Sequence, residues 1–461
     1  MSYGLYFGSE RVIVGTILLV FLGISSYVVA FHKKWVYLLT IALIPVSVVA
    51  TIPGTGMSLS LPSELLEYTL FGVFVLYALF KGIDKKILNH PLTLILIFDL
   101  AWIFLTSLTS TMPEVSLKRF MMKANYLAVF YMLFSELSLN KPQKANIPFL
   151  FYAIGFIITM VYTIYQLASY DFNPTVAFIL SQPFFAEHTV YGACLAFTIP
   201  FILMVVVKPQ FQLTTLSRLF FIGLLLLLFV SISIALSRAA LLSLAVAFGF
   251  WILIQFRVKT WMLLLALTIL GAGAYSYRLK IYNKLTTNKA VSNDGNVVNH
   301  FNSVTNIESD ASNLERINRW FCAWEMFKNK PLTGFGPGTY QFQYAQFQSW
   351  QHKTYISTTH GNKGNAHSEY LSYLSETGIV GFLIFLGIVF YSIHLGLINY
   401  YQSTDPKVKF IILSAILGLV TFYFHGLFNA FSDQDEMAFL YYASLGVILL
   451  SDIHRRNQVK A

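Results

Sequence analysis

HTVYGACLAFTIPFILMVVV, residues 188–207, runs for twenty residues without an Asp, Glu, Lys or Arg. A helix rises about 1.5 Å per residue, so the stretch covers about 30 Å, the thickness of a bilayer's hydrocarbon core. The same pattern recurs in both directions along the chain. Before it lie apolar runs at Val12–Phe31, Trp35–Pro53, Glu64–Phe80, Pro91–Ser110, Val115–Leu137 and Ile147–Ala168. After it come Leu219–Leu236, Ala239–Phe256, Thr260–Tyr277, Gly378–Asn399, Val408–Leu427 and Met437–Ser451. With 56% hydrophobic and 11% charged residues, the chain exceeds what a soluble core needs. The reading is an all-α polytopic membrane protein of about 12–13 transmembrane helices. Residues 1–277 hold the first ten spans, 278–376 form one large polar loop, and 377–461 hold the last three spans and a tail. The first run lacks a basic leader and a small-residue cleavage site, so it reads as a retained span.

Short loops rich in Lys and Arg stay cytoplasmic, whereas long loops escape that rule. With the N-terminus outside, the inner loops collect Lys33/Lys34, Lys81/Lys85/Lys86, Lys141/Lys144, Lys208/Arg218, Arg257/Lys259, Lys407/Lys409 and Arg455/Arg456/Lys460, sixteen of the 31 basic residues. This orientation sets the 278–376 loop outside. The formal net charge of +10 then reflects loops that face anionic membrane lipids, and nucleic acid is not an expected partner. Cys194 and Cys322 have neither disulfide-framework nor metal-site spacing and read as packing residues.

Within the loop, residues 291–312 are rich in Asn, Ser and Asp and read as a linker. From Asn313, the apolar residues Leu314, Ile317, Phe321, Trp324 and Phe327 recur at helical spacing, with Ser312 as N-cap and Glu315 three residues later. Arg316, Arg319 and Trp320 ride on that helix, which stops at Lys330-Pro331. Gly334-Phe335-Gly336-Pro337-Gly338 follows; with no strand before it and no Lys-Ser/Thr after, it reads as a structural turn rather than a phosphate cradle. The aromatics between Tyr340 and Tyr355 either stack on sugar rings or anchor the segment at the membrane interface. His367 stands where the loop returns to the membrane.

These residues resemble the O-antigen ligase and polymerase superfamily of bacterial envelope glycan assembly. The resemblance rests on Ser237-Arg238-Ala239 at an outer span end, Arg316-x-x-x-Trp320, Pro331-x-x-Gly334-x-Gly336, and His367-Ser368-x-x-Leu371 with Glu376-x-Gly378 behind it. It covers best the segment from Phe185 to Gly381; Ser368 stands where the family often has Asn. The resemblance implies an inverting glycosyltransferase in the bacterial inner membrane, its active site facing the periplasm. The donor would be an undecaprenyl diphosphate-linked glycan, and the acceptor a hydroxyl of lipid A-core or another molecule. Ligase is the first reading; O-antigen polymerase and protein O-oligosaccharyltransferase share the donor chemistry and differ in acceptor.

A diphosphate leaving group concentrates negative charge, and guanidinium matches it with permanent charge and forked donors. Arg238 and Arg316 suit that task, although Arg238 could instead snorkel or pair with Glu187. A neutral imidazole can take the acceptor's proton, and His367 is the candidate general base. Arg319 and Trp320 are further candidates for substrate binding. His188 either contacts diphosphate or sugar or caps a helix. Lys118, Arg119 and Lys123 break the charge rule at an outer boundary and either meet an anionic substrate or pair with Glu114. Asp99, mid-span, requires an internal partner or a proton. The external histidines lack carboxylate partners at ligand spacing and no Asp-x-Asp appears, so a metal-independent reaction without cofactor is expected. A polysaccharide transporter or flippase is the rival class; apart from Asp99 and Glu67, few charges sit mid-span to line a pathway.

Overall fold

The computed structural model describes residues 32–52, 57–173, 176–257, 311–349 and 364–460, together with Ser357 and isolated positions between 262 and 277. Among them α1 is helical over 32–43, and β1 (Val48–Ile52) pairs antiparallel with β2 (Met57–Leu61). The remaining long helices are α2 (Ser63–Lys81), α3 (Pro91–Leu108), α4 (Pro113–Tyr126), α5 (Ile147–Ser169), α6 (His188–Val207), α7 (Thr215–Ile234) and α8 (Arg238–Gln255). After the large loop's first half come α9 (Ala311–Asn329), α10 (Glu369–Gln402), α11 (Pro406–His425) and α12 (Asp435–Lys460). Nine helices among the described residues are long and apolar enough to cross a membrane. The protein is therefore an all-α, multi-pass membrane protein. The expected span Val12–Phe31 and most of Thr260–Tyr277 lie outside the described residues, as does nearly all of the 291–312 linker.

One expected span is corrected. Trp35–Pro53 is not a single helix: α1 gives way to a 3-10 turn at Ile44–Val46 and then to the hairpin. Pro45 supplies no amide donor to an α-helical ladder, and Val48, Val49, Thr51 and Ile52 are β-branched residues that favour extended backbone. The Glu64 carboxylate accepts the Ser60 amide at 2.7 Å and ties the hairpin to the start of α2. The expected span Val115–Leu137 is continuous helix, passing from α4 through a π turn at Leu127–Leu133 to Ser138.

The bundle has an inside and a lipid-facing outside. α6, α11 and α12 are almost wholly buried, whereas α7 and α8 leave most of their surface open. Lipid is as apolar as leucine, so helices associate through close packing at small residues. Gly418 of α11 leaves room for the Phe197 ring of α6, and Gly446 of α12 does the same for Phe134. Gly192 of α6 lies directly against Ser237, the N-cap of α8. That contact brings the starts of α6 and α8 to one end of the bundle.

Candidate active site

The glycine run after α9 forms a latch. Its φ angles are positive at Gly334 (68°), Gly336 (112°) and Gly338 (76°), which L side chains rarely adopt. The Phe335 amide donates to the Ser375 carbonyl at 3.0 Å and the Gly336 amide to the Glu376 carbonyl at 2.9 Å. On the other side, the Phe335 carbonyl accepts from the Thr111 amide at 2.9 Å. The Glu376 carboxylate closes the clasp, accepting the Gly338 and Tyr340 amides at 2.9 Å each. Gly378 interrupts α10 with φ 68° and lets the Pro331–Thr333 backbone press into the break. The run is thus the structural turn that its sequence suggests, fastening the loop to α10 and the α3–α4 corner.

Two sequence expectations about this loop need correction. Ser312 lies inside α9 rather than capping it, and the Glu315 carboxylate turns to Arg319 at 2.9 Å and to Ser357. Tyr340 and Tyr344 neither meet a sugar site nor anchor at an interface. They stack at 5.3 Å inside a small core with Cys322, Met326 and Phe335, and the Tyr340 hydroxyl donates to the Arg319 carbonyl at 2.8 Å. Burial pushes the Cys322 thiol up to about 12, consistent with its reading as a packing residue.

His367 sits on a left-handed residue, φ 50°, just before α10. A non-glycine in that region needs its surroundings to hold it there, and such residues cluster at functional sites. Its carbonyl accepts the Trp320 indole N–H at 3.1 Å, and its amide donates to the Asn365 side-chain oxygen at 2.9 Å. Asn365 in turn donates to the Ala430 carbonyl at 2.9 Å, and its own carbonyl accepts from Arg319 at 3.0 Å. Ser368 caps α10. The Glu369 amide donates to the Gly426 carbonyl at 2.8 Å, while the Glu369 carboxylate accepts the amides of Phe431 and Ser432. The His367 turn is thereby stapled between α9 and the α11–α12 connection.

Trp320 is therefore a positioning residue, holding the backbone of His367. Trp320→Phe removes one part-buried donor, worth about 0.5–1.5 kcal/mol. If the turn serves catalysis, the expected result is a fall in kcat of up to about tenfold with KM little changed. A fall in protein level alone would instead assign the indole to stability.

The imidazole of His367 is drawn down to about 3, first by burial, then by the charges of Arg319 and Arg316; a hydrogen bond with the Asn429 side chain opposes them. It is neutral at physiological pH. The charge of Arg316 also reaches the imidazoles of His188 and His425. Three histidines from α6, α11 and the α10 entrance thus lie within electrostatic reach of one guanidinium. Arg238 begins α8, whose N-cap packs on Gly192, one turn beyond His188. Arg238, Arg316, His188 and His367 accordingly share one end of the bundle.

The other candidates are engaged elsewhere. Arg319 is buried against Glu315 and lies 5.0 Å over the Tyr344 ring, so its guanidinium shapes the turn that carries His367. Arg119 pairs with Asp433 at 2.7 Å rather than with Glu114. Lys123 donates to the Tyr373 hydroxyl at 2.9 Å, and that hydroxyl donates to Asp99 at 3.3 Å, giving Asp99 the internal partner it requires. Arg119, Lys123, Glu369, Glu376 and Asp433 line a cavity of about 20 Å³ beneath the latch, the size of one water. Lys118 is exposed on the other face of α4.

His425 and Asn429 are candidate site residues absent from the sequence reading. His425 ends α11 with both ring nitrogens buried and its ring edge-on to Phe431 at 4.8 Å. The available signal was a His and an Asn four residues apart at a span end that shares a side with the loop.

No curated protein matches the chain. Residues 222–386 match the model of the O-antigen ligase family, a segment that includes Arg238, α9, the latch and His367. Over that segment the chain is similar to the O-antigen ligase family, and nine helices among its described residues are long and apolar enough to cross a membrane.

Proposed function

We propose that the protein transfers a glycan from undecaprenyl diphosphate to an acceptor hydroxyl at the periplasmic face of the inner membrane, as an O-antigen ligase acting on lipid A-core. The observation that carries this reading is the convergence of a neutral imidazole, His367, with the Arg316 guanidinium at one end of the bundle. The acceptor oxygen attacks the anomeric carbon from the side opposite the diphosphate, and configuration inverts. Its proton passes to His367. The bond from the anomeric carbon to the diphosphate oxygen breaks, and undecaprenyl diphosphate leaves with charge balanced by Arg316 and Arg238.

An imidazole drawn to about 3 is a weak base in the empty site. Donor binding changes that, because two of the forces lowering it are the arginine charges that a diphosphate would neutralise. His367 then gains basicity only when a donor is in place. His188 and Asn429 border the same space and are suited to hydrogen bonding with phosphate or sugar. Arg319, Trp320, Arg119 and Lys123 act through the frame around it, and Lys118 meets lipid phosphate at its exposed position. The basic loops at the opposite end of the helices support the periplasmic orientation.

Deleting the gene and separating the envelope glycans on gels tests the reading. Loss of a ligase leaves polymer on the carrier lipid beside bare lipid A-core. Single repeat units on the core would assign polymerase, and loss of glycoprotein glycans with normal lipopolysaccharide would assign protein O-oligosaccharyltransferase. A flippase would leave the finished glycan trapped on the cytoplasmic side.

A further inference from the structure

A cavity of about 410 Å³ opens at the other end of the bundle, walled by Lys208, Trp251, Gln255, Tyr400, Lys409 and Phe410 among others. That volume lies within the range of small-ligand pockets, about 300–1,000 Å³. Helix direction fixes its distance from the candidate active site. His188 and Arg238 begin α6 and α8 at one end, and Lys208 and Gln255 close the same helices at the other. The twenty residues of α6 separate the two by about 30 Å, one hydrocarbon thickness.

Among the described residues the lining carries two lysines and no carboxylate. Asp405, beside it in sequence, turns its carboxylate to the Lys407 amide at 2.8 Å, the Val408 amide at 3.2 Å and the Gln143 side chain at 3.0 Å. The Lys208 ammonium stands 4.6 Å from the centre of the Phe410 ring and that of Lys409 4.9 Å from the Tyr400 ring. Both charges are thus held at the wall by aromatic faces, with no acid among the described lining residues to neutralise them. Gln210, also in the lining, keeps its buried side-chain oxygen without a hydrogen bond, an acceptor open to a hydroxyl of an occupant's headgroup. Beside the cavity, Ile252, Leu253 and Phe256 of α8 are exposed by 38%, 40% and 76%, an apolar track toward the lipid.

We propose that this cavity seats the phosphate headgroup of an anionic phospholipid from the leaflet facing away from the active site, its acyl chains lying along α8. Basic pockets between membrane helices favour such headgroups. The track distinguishes a lipid from free phosphate, which would have no use for it. The site is separate from glycan transfer and stands whether or not that reaction is as proposed.

The test uses the full-length protein, stripped of copurifying lipid by detergent exchange. It is titrated separately with phosphatidylglycerol, phosphatidylcholine and inorganic phosphate, and native mass spectrometry and the thermal transition are followed. Phosphatidylglycerol is expected to bind at least tenfold tighter than phosphatidylcholine, K208Q/K409Q to lose that preference, and K208R/K409R to keep it. If K208Q/K409Q does not fold, Gln210→Glu, which brings a carboxylate into the cavity, is expected to show the same loss. The proposal is overturned if folded K208Q/K409Q or Gln210→Glu keeps the preference, if the two lipids bind alike, or if inorganic phosphate stabilises the protein as well as the lipid does.

Discussion

Replacing His367 with Ala is expected to lower glycan transfer about 10²–10⁴-fold, the range that a positioned general base contributes. The protein should still insert and accumulate, because the contacts that hold this turn use the backbone of His367 and not its ring. The pH dependence is the more specific signature. The neutral imidazole is the active form, and with its titration lowered to about 3, that form is lost only as pH falls through that value. The plot of kcat/KM, which reports the free enzyme, should therefore show no acid limb from this group between pH 5 and 8. An unperturbed histidine would halve the rate near 6.5. The kcat plot, which reports the donor-bound enzyme, should carry its acid limb at higher pH than the kcat/KM plot. Coincident limbs near 6.5 in both plots would remove the argument that arginine charge and burial tune this base.

Arg316→Ala is expected to cost about 10²–10³-fold in kcat, by analogy with removing one donor that stabilises developing charge, about 2.7–4 kcal/mol. Arg316→Lys should fall between, since it keeps the charge and loses the fork that meets two phosphate oxygens at once. Its neighbour one turn away gives the control. Arg319 forms a buried pair with Glu315, so Arg319→Gln leaves an uncompensated carboxylate and should cost about 3–5 kcal/mol of stability. The two variants should therefore part: normal protein and little transfer for Arg316→Ala, little folded protein for Arg319→Gln. Thermal unfolding in detergent beside an in vitro transfer assay measures both. Equal losses of folded protein would recast Arg316 as a second structural arginine.

Most of the bundle was legible because a charge-free run of twenty residues has few stable alternatives to a membrane helix. The reading failed where hydropathy was asked to distinguish shapes. Trp35–Pro53 is apolar enough for a span, yet Pro45 and the β-branched run from Val46 to Ile52 turn it into a hairpin. At the candidate site, motif context singles out Arg316 and His367, and the latch was legible through its glycines. The frame was not, because it is made of contacts between distant segments. Asn365 meets Ala430, Glu369 meets Ser432, and Trp320 meets His367 across separations of about 45 to 65 residues, none with a local pattern. His425 was passed over for a related reason: an apolar run carried the expected span through to Leu427 and hid a titratable group at its end.

α12 is the most completely buried of the spanning helices, yet it follows all the others in the chain. A ribosome delivers it to the membrane only after the helices that will surround it. Until then its place among α6, α10 and α11 is empty, and the α11–α12 connection that grips Asn365 and Glu369 has nothing to fix its far end. The histidine turn should acquire its left-handed backbone only at that final step. A nascent or truncated chain would then lack the frame that holds the His367 turn, so completion of the candidate site is timed by the insertion of its central helix.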